Sequence, residues 1–131
     1  GRTVYTDPWD ARPANNMAHI DLSREADAIL VAPASADLLA QLAQGLAREL
    51  LPLLCLARPA ERCALLLAPA MNREMWLHPA TQRNVTQLRE DGVHLIDPDD
   101  GWLSCRQVGS GRMAAPEVIQ AAIEKQLRTL V

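Results

Sequence analysis

Two short runs without a polar residue, Ala28-Ile29-Leu30-Val31-Ala32 and Ala64-Leu65-Leu66-Leu67-Ala68, each end at a proline followed by alanine. A strand that is apolar on both faces must be covered on both, which is the situation inside a parallel sheet. Parallel strands need crossovers, and the sequence supplies helical ones. Leu38, Leu39, Leu42, Leu46 and Leu50 recur at helical spacing and predict one helix over 37–51, with Asp37 as its first-turn acid. A weaker third run, Val93 to Ile96, follows the Asp91-Gly92 turn and ends at Asp97-Pro98. Before it, residues 79–90 read as a helix with Val85 and Leu88 inward. After it, residues 116–130 read as a helix that opens on Pro116, where the missing N–H costs little, and turns Val118, Ile119, Ala122, Ile123 and Leu127 inward. The order strand, helix, strand, helix, strand, helix implies an α/β fold: a parallel sheet with right-handed crossovers and helices on both faces.

With 131 residues the chain has room for one domain. Thirteen Lys and Arg against sixteen Asp and Glu leave a net charge of −3, so no general basic field exists to hold a nucleic-acid backbone or an anionic membrane. No apolar run reaches the about 20 residues that span a bilayer. Cys55, Cys63 and Cys105 form no CxxC pair and suit neither a zinc site nor a disulfide framework, so no metal is expected and a reducing cytoplasm is the natural setting. Cys55 and Cys63 read as small buried apolar residues. Trp9, Trp76 and Trp102 are scattered without interleaved basic residues and make no base-stacking platform; Trp76 reads as packing beside the ligand site. His78, before Pro79, and His94, on a presumed edge strand, read as structural or surface groups.

In parallel α/β sheets ligands bind beyond the carboxyl ends of the strands. Three exits therefore matter: Ala32-Pro33-Ala34-Ser35-Ala36-Asp37, Ala68-Pro69-Ala70-Met71-Asn72 and Asp100-Gly101-Trp102-Leu103-Ser104-Cys105. In the first two, proline ends the strand, small residues admit a flat ligand, and Ser35 and Asn72 offer oriented hydrogen bonds. The same two residues read equally as helix caps.

Met17-Ala18-His19-Ile20-Asp21-Leu22, Ala32-Pro33-Ala34-Ser35-Ala36, Pro69-Ala70-Met71-Asn72-Arg73-Glu74-Met75-Trp76 and Cys105-Arg106-Gln107-Val108-Gly109-Ser110-Gly111-Arg112-Met113 together resemble the homo-oligomeric flavin-containing cysteine decarboxylases. The likeness runs from about Val4 to Ile119. It implies a flavodoxin-like fold assembled as trimers, or as a dodecamer of trimers, with FMN near a subunit interface. The implied activity is decarboxylation of 4′-phosphopantothenoylcysteine to 4′-phosphopantetheine. A carboxylate alpha to an amide nitrogen has nowhere to leave its electrons, so a cofactor must provide a sink. In the family, flavin oxidises the cysteinyl side chain to a thioaldehyde that accepts them, and the enethiolate formed is then reduced.

The resemblance also implies roles residue by residue. His19 matches the active-site histidine; an imidazole, with a pKa of about 6.5, can act as a base near neutrality. Asn72 matches the residue that holds the substrate carboxylate, orienting it without the strong stabilisation a cation would give. Cys105 matches the acid that protonates the enethiolate, a thiol of pKa about 8.5 being mostly protonated at neutral pH. Met113, Ser104 and Trp102 match substrate-contacting positions, and Ser35, Ala36, Asp37, Leu38 and Ala70 match positions that touch FMN. Gly109-Ser110-Gly111 reads as a mobile loop that closes over substrate.

Two segments depart from the family pattern: Arg48 to Leu53, where Pro52 and Leu53 replace polar residues, and Arg106, where a glycine is usual. Other readings are a decarboxylase acting on the C-terminal cysteine of a peptide, a non-catalytic FMN-binding regulatory protein and a simple nucleotide-binding module. The chain opens at Gly1 with no glycine-containing turn for the FMN phosphate. Residues 1–131 are thus expected to be a flavoprotein domain incomplete at its N-terminus, lacking the first strand and helix. A fused CTP-dependent phosphopantothenate–cysteine ligase domain is the expected downstream partner.

Overall fold

The computed structural model describes residues 1–2, 4–5, 18–102 and 108–130. In chain order the elements are α1 (Ala18–Glu25), β1 (Ala28–Ala34), α2 (Ala36–Gln44), α3 (Leu50–Ala57), β2 (Ala64–Pro69), α4 (Arg73–Leu77), α5 (Pro79–Glu90), β3 (His94–Leu95), β4 (Asp99–Trp102), β5 (Val108–Arg112) and α6 (Pro116–Thr129). β1, β2 and β3 form a parallel sheet in that order, with Ala28 opposite Ala64, Leu30 opposite Leu66 and Leu67 opposite Leu95. β4 and β5 form a separate antiparallel ribbon. The flavodoxin-like α/β architecture expected from the sequence is present, with both apolar runs as parallel neighbours.

Alternation along β2 divides the core. Leu65 and Leu67 point to one side, where they pack with Ile29, Val31, Leu38, Leu39, Cys55, Val85 and Leu88 from β1, α2, α3 and α5. Leu66 and Ala68 point to the other, against Ile96, Ala114 and Ile119, with Ala122 and Ile123 of α6 completing that layer. Helices therefore cover both faces of β2. On β1 the cover is uneven: Ile29, Val31 and Ala34 are buried and Ala28 packs on the second layer, whereas Leu30 is 38% exposed and Ala32 is exposed too. The α6 stripe is also narrower than expected, since Val118 and Leu127 lie outside the core. Leu67 is fully buried among α2, α5 and β1, so Leu67→Ala should lower the unfolding free energy by about 2–5 kcal/mol, measured by urea denaturation of the full-length protein.

The single helix expected over 37–51 is two helices. Gly45 takes φ +70° as the C-cap of α2, and the Leu46 N–H closes back on the Gln41 carbonyl at 2.8 Å. This left-handed cap suits glycine, and it turns Leu46 out to solvent despite its place in the leucine repeat. α3 then starts after Glu49 and holds Pro52 in its first turn, where an absent N–H breaks no helical bond. Arg58 joins α3 to β2, donating to the Cys55 carbonyl at 2.8 Å and the Cys63 carbonyl at 3.2 Å.

Candidate functional site

The two Ala-Pro-Ala exits lie side by side. Ala34 is in register with Pro69, and the Ala70 N–H donates to the Ala34 carbonyl at 3.1 Å. The Ala32–Pro33 peptide is cis, and the register shifts between Val31 and Ala34. Beyond them lies an open cleft of about 330 Å3. Ser35, Asp37, Leu38 and Ala70, four of the five positions expected to touch the cofactor, line it; Ala36 does not. The rest of the wall comes from Val31, Pro33, Gln41, Glu49, Leu51 and Pro52. Among the described residues the lining is mostly apolar, with two carboxylates and no Lys or Arg.

Gln41, Glu49, Leu51 and Pro52 were not expected in the site. Gln41 follows Asp37 by four residues, so it lies on the same helix face, and its amide donates to the Asp37 carboxylate at 2.6 Å. The α3 residues arrive only because the chain breaks at Gly45. Their signal in the sequence was the departure at Arg48 to Leu53, which now proves to contribute part of the cleft wall.

Both donors singled out are helix caps, and capping sets their chemistry. Ser35 Oγ accepts the Leu38 N–H at 3.1 Å, leaving its own hydroxyl hydrogen to donate. Asn72 Oδ1 accepts the Met75 N–H at 2.8 Å as the N-cap of α4. Only the oxygen of an amide can accept that bond, which assigns Oδ1 to the cap and leaves the NH2 of this exposed residue to donate. The cap reading and the ligand reading of Asn72 are therefore compatible; Asn72 is not among the described residues that line the cleft, two positions beyond Ala70, which is.

Met113 is half-buried and packs on the Leu66–Ile119 layer, apart from the cleft lining. Trp102 ends β4 and His19 lies in α1, but the side chains of both fall outside the described residues, as do Ser104, Cys105 and Arg106 altogether. α1 approaches the cleft through a second hollow of about 360 Å3, which Leu22 lines and which shares Glu49 and Leu51 with the first. Gly109-Ser110-Gly111, expected as a mobile loop, forms part of β5: Gly109 pairs with Gly101 and Ser110 with Asp100. Strand pairing to β4 holds this segment where the glycine content had suggested freedom.

The remaining groups are structural. His78 bridges two helices, its ring Nδ1 accepting the Ala80 N–H at 3.1 Å. Trp76 packs on the larger core cluster, and its carbonyl accepts from Gln82 at 2.7 Å. Cys55 and Cys63 are free and buried; burial pushes the Cys55 thiol up to about 11, with Arg58 opposing, and raises Cys63 likewise. Both stay protonated near neutrality and are poor nucleophiles. Among the described residues no cluster of His, Cys, Asp and Glu could hold a metal ion, and no helix is long and apolar enough to cross a membrane.

Comparison with known proteins agrees with this geometry. The coenzyme A biosynthesis bifunctional protein CoaBC of Haemophilus influenzae is 43% identical over 123 residues, covering 94% of this chain and 30% of the relative. The chain thus spans about a third of the length of the curated relatives it matches. A solved cysteine-to-serine variant of PPC decarboxylase, complexed with pantothenoylaminoethenethiol, superposes with a TM-score of 0.87 at 36% identity, covering 94% of this chain and 69% of that one. The FMN-dependent cysteine decarboxylase SpaF superposes with a TM-score of 0.82 at 35% identity, covering 99% and 66%. Residues 1–128 match the family described as Flavoprotein, and the chain belongs to that family.

Proposed function

We propose that this chain is the decarboxylase part of a coenzyme A biosynthesis flavoprotein and catalyses FMN-dependent decarboxylation of 4′-phosphopantothenoylcysteine to 4′-phosphopantetheine. The observation that carries this reading is the convergence of both strand exits on one cleft, with the donating end of Asn72 on the turn that continues from it. The likeness to PPC decarboxylase and to CoaBC supports the choice of substrate.

The cleft fits a flavin in part. Its apolar walls at Val31, Pro33, Leu38, Leu51 and Ala70 suit a flat, uncharged ring, and about 330 Å3 lies within the ordinary range of small-molecule pockets. Asp37 and Glu49, with no cation beside them among the described lining residues, do not suit its phosphate. Ser35, Leu38, Pro33 and Ala70 would thus hold the ring end, and the phosphate would be held elsewhere in the full protein. Bound there, the flavin supplies the two-electron sink and source that the reaction needs.

The chain's own residues do the rest. The Asn72 NH2 binds and orients the substrate carboxylate. As a neutral donor it leaves the departing group less stabilised than an Arg or Lys would, which favours loss of carbon dioxide. His19 takes a proton from the substrate, and Cys105 returns one to the product carbon. Trp102, Ser104 and Met113 border the substrate. The protein works as a homo-oligomer, with a fused ligase domain. Two buried free thiols suit a reducing cytoplasm.

The full-length protein should be yellow and release carbon dioxide from phosphopantothenoylcysteine. Running a peptide with a C-terminal cysteine beside it separates the peptidyl-cysteine reading. A protein that is colourless after reconstitution with FMN, or a flavin-loaded protein inert toward phosphopantothenoylcysteine, overturns the proposal.

A further inference from the structure

Gly111 occupies a place that no other residue fits. In the β4–β5 ribbon Asp99 pairs with Arg112 while Asp100 pairs with Ser110, so Gly111 is the extra residue of a bulge. A bulged residue leaves the ladder, and its backbone groups are free to turn elsewhere. The Gly111 carbonyl accepts the Met71 N–H at 3.0 Å, one residue before Asn72. The approach is close enough that a Cβ on Gly111 would lie 2.4 Å from the Met71 carbonyl oxygen and 3.4 Å from the Asn72 carbonyl. Its φ of +117° is independently unfavourable for any side chain. Gly111 is buried, and β5 packs against α4, the helix that Asn72 caps.

We propose that Gly111 is a positioning residue that latches the β4–β5 ribbon onto the Met71–Asn72 turn, so that the ribbon and the Asn72 amide form one substrate-binding unit. Through this latch Arg112 and Met113, the next two residues, are held in fixed relation to the Asn72 turn. Only a bare backbone permits the contact, because backbone atoms of Met71, which cannot rotate away as a side chain could, stand where a Cβ would go. This inference rests on the decarboxylase reading for its effect on turnover, but the latch itself is tested without it.

The test uses the full-length protein and two variants. Gly111→Ala adds the clashing Cβ at positive φ, whereas Gly92→Ala imposes a positive φ of +85° with nothing within 4 Å of the new Cβ. By hydrogen exchange, Gly111→Ala should lose protection at the Met71 amide while the β2 amides stay protected; Gly92→Ala should keep both. In turnover of phosphopantothenoylcysteine, Gly111→Ala should raise KM by about tenfold or more, with a smaller change in kcat and an unchanged flavin spectrum. Protection at Met71 and KM both unchanged in Gly111→Ala overturn the latch. If Gly111→Ala does not fold, the parent protein decides: the Met71 amide must exchange as slowly as the β4–β5 ladder, and faster exchange overturns the proposal. A parent protein with a protected Met71 amide but no carbon dioxide release refutes the decarboxylase reading and leaves the latch standing.

Discussion

Asn72→Asp is expected to cut kcat/KM for phosphopantothenoylcysteine by about a thousandfold while leaving the fold intact. The two halves of this expectation come from the two ends of one side chain. Asn72 Oδ1 caps α4 by accepting the Met75 N–H at 2.8 Å, and aspartate caps a helix as well as asparagine does. Stability should therefore stay within about 0.5 kcal/mol of the parent. The other end changes from an NH2 that, in the proposed mechanism, donates to the substrate carboxylate to an oxygen that repels it. Loss of a hydrogen bond to a charged group accounts for about 1.5–3 kcal/mol, and like-charge repulsion in a partly desolvated site supplies the rest. Thermal melts beside steady-state kinetics check both halves. A variant within about threefold of the parent rate would exclude Asn72 from substrate binding, since an error that small equals less than a single ordinary hydrogen bond.

Cys105→Ser should reduce output of 4′-phosphopantetheine by about 10^2–10^4-fold and divert turnover to the oxidised enethiol, detectable by mass spectrometry as a product two hydrogens lighter. A serine hydroxyl matches the thiol in shape but is far too weak an acid to hand a proton to carbon near neutrality. Carbon dioxide release in the first turnover should survive, because in the proposed mechanism Cys105 acts after it. Normal product at the parent rate would remove Cys105 from the mechanism. Trp102 and Val108, on either side of that segment, pair across the β4–β5 ribbon, so the substitution should leave the ribbon's register unchanged.

Much of the architecture could be read from the chain. The runs at Ala28 and Ala64 became paired parallel strands, and the second, central in the three-stranded sheet, is buried on both faces as its apolar run required. Val85 and Leu88 turned inward as their spacing required, and Pro116 opened α6. Periodicity misled at Gly45, where five leucines at helical spacing concealed a left-handed cap, because spacing reports which residues are apolar and carries no information about the φ of one glycine. Gly109-Ser110-Gly111 misled in the opposite direction. Glycine content signals freedom only where no partner strand holds the backbone, and here β4 does.

The sequence alone determined the layer architecture, the two strand exits as the edge of a cleft, and four of the residues that line it, because apolar runs and the prolines that end them are local properties. Only the tertiary structure decided which neighbours meet there. Glu49, Leu51 and Pro52 reach the cleft by way of a turn that no periodicity marks, and Gly111 meets Met71 across about forty residues of chain. It also showed Asn72 as the cap of α4. A hydrogen bond to one end of an amide orients the other, and that bond exists only once α4 has formed.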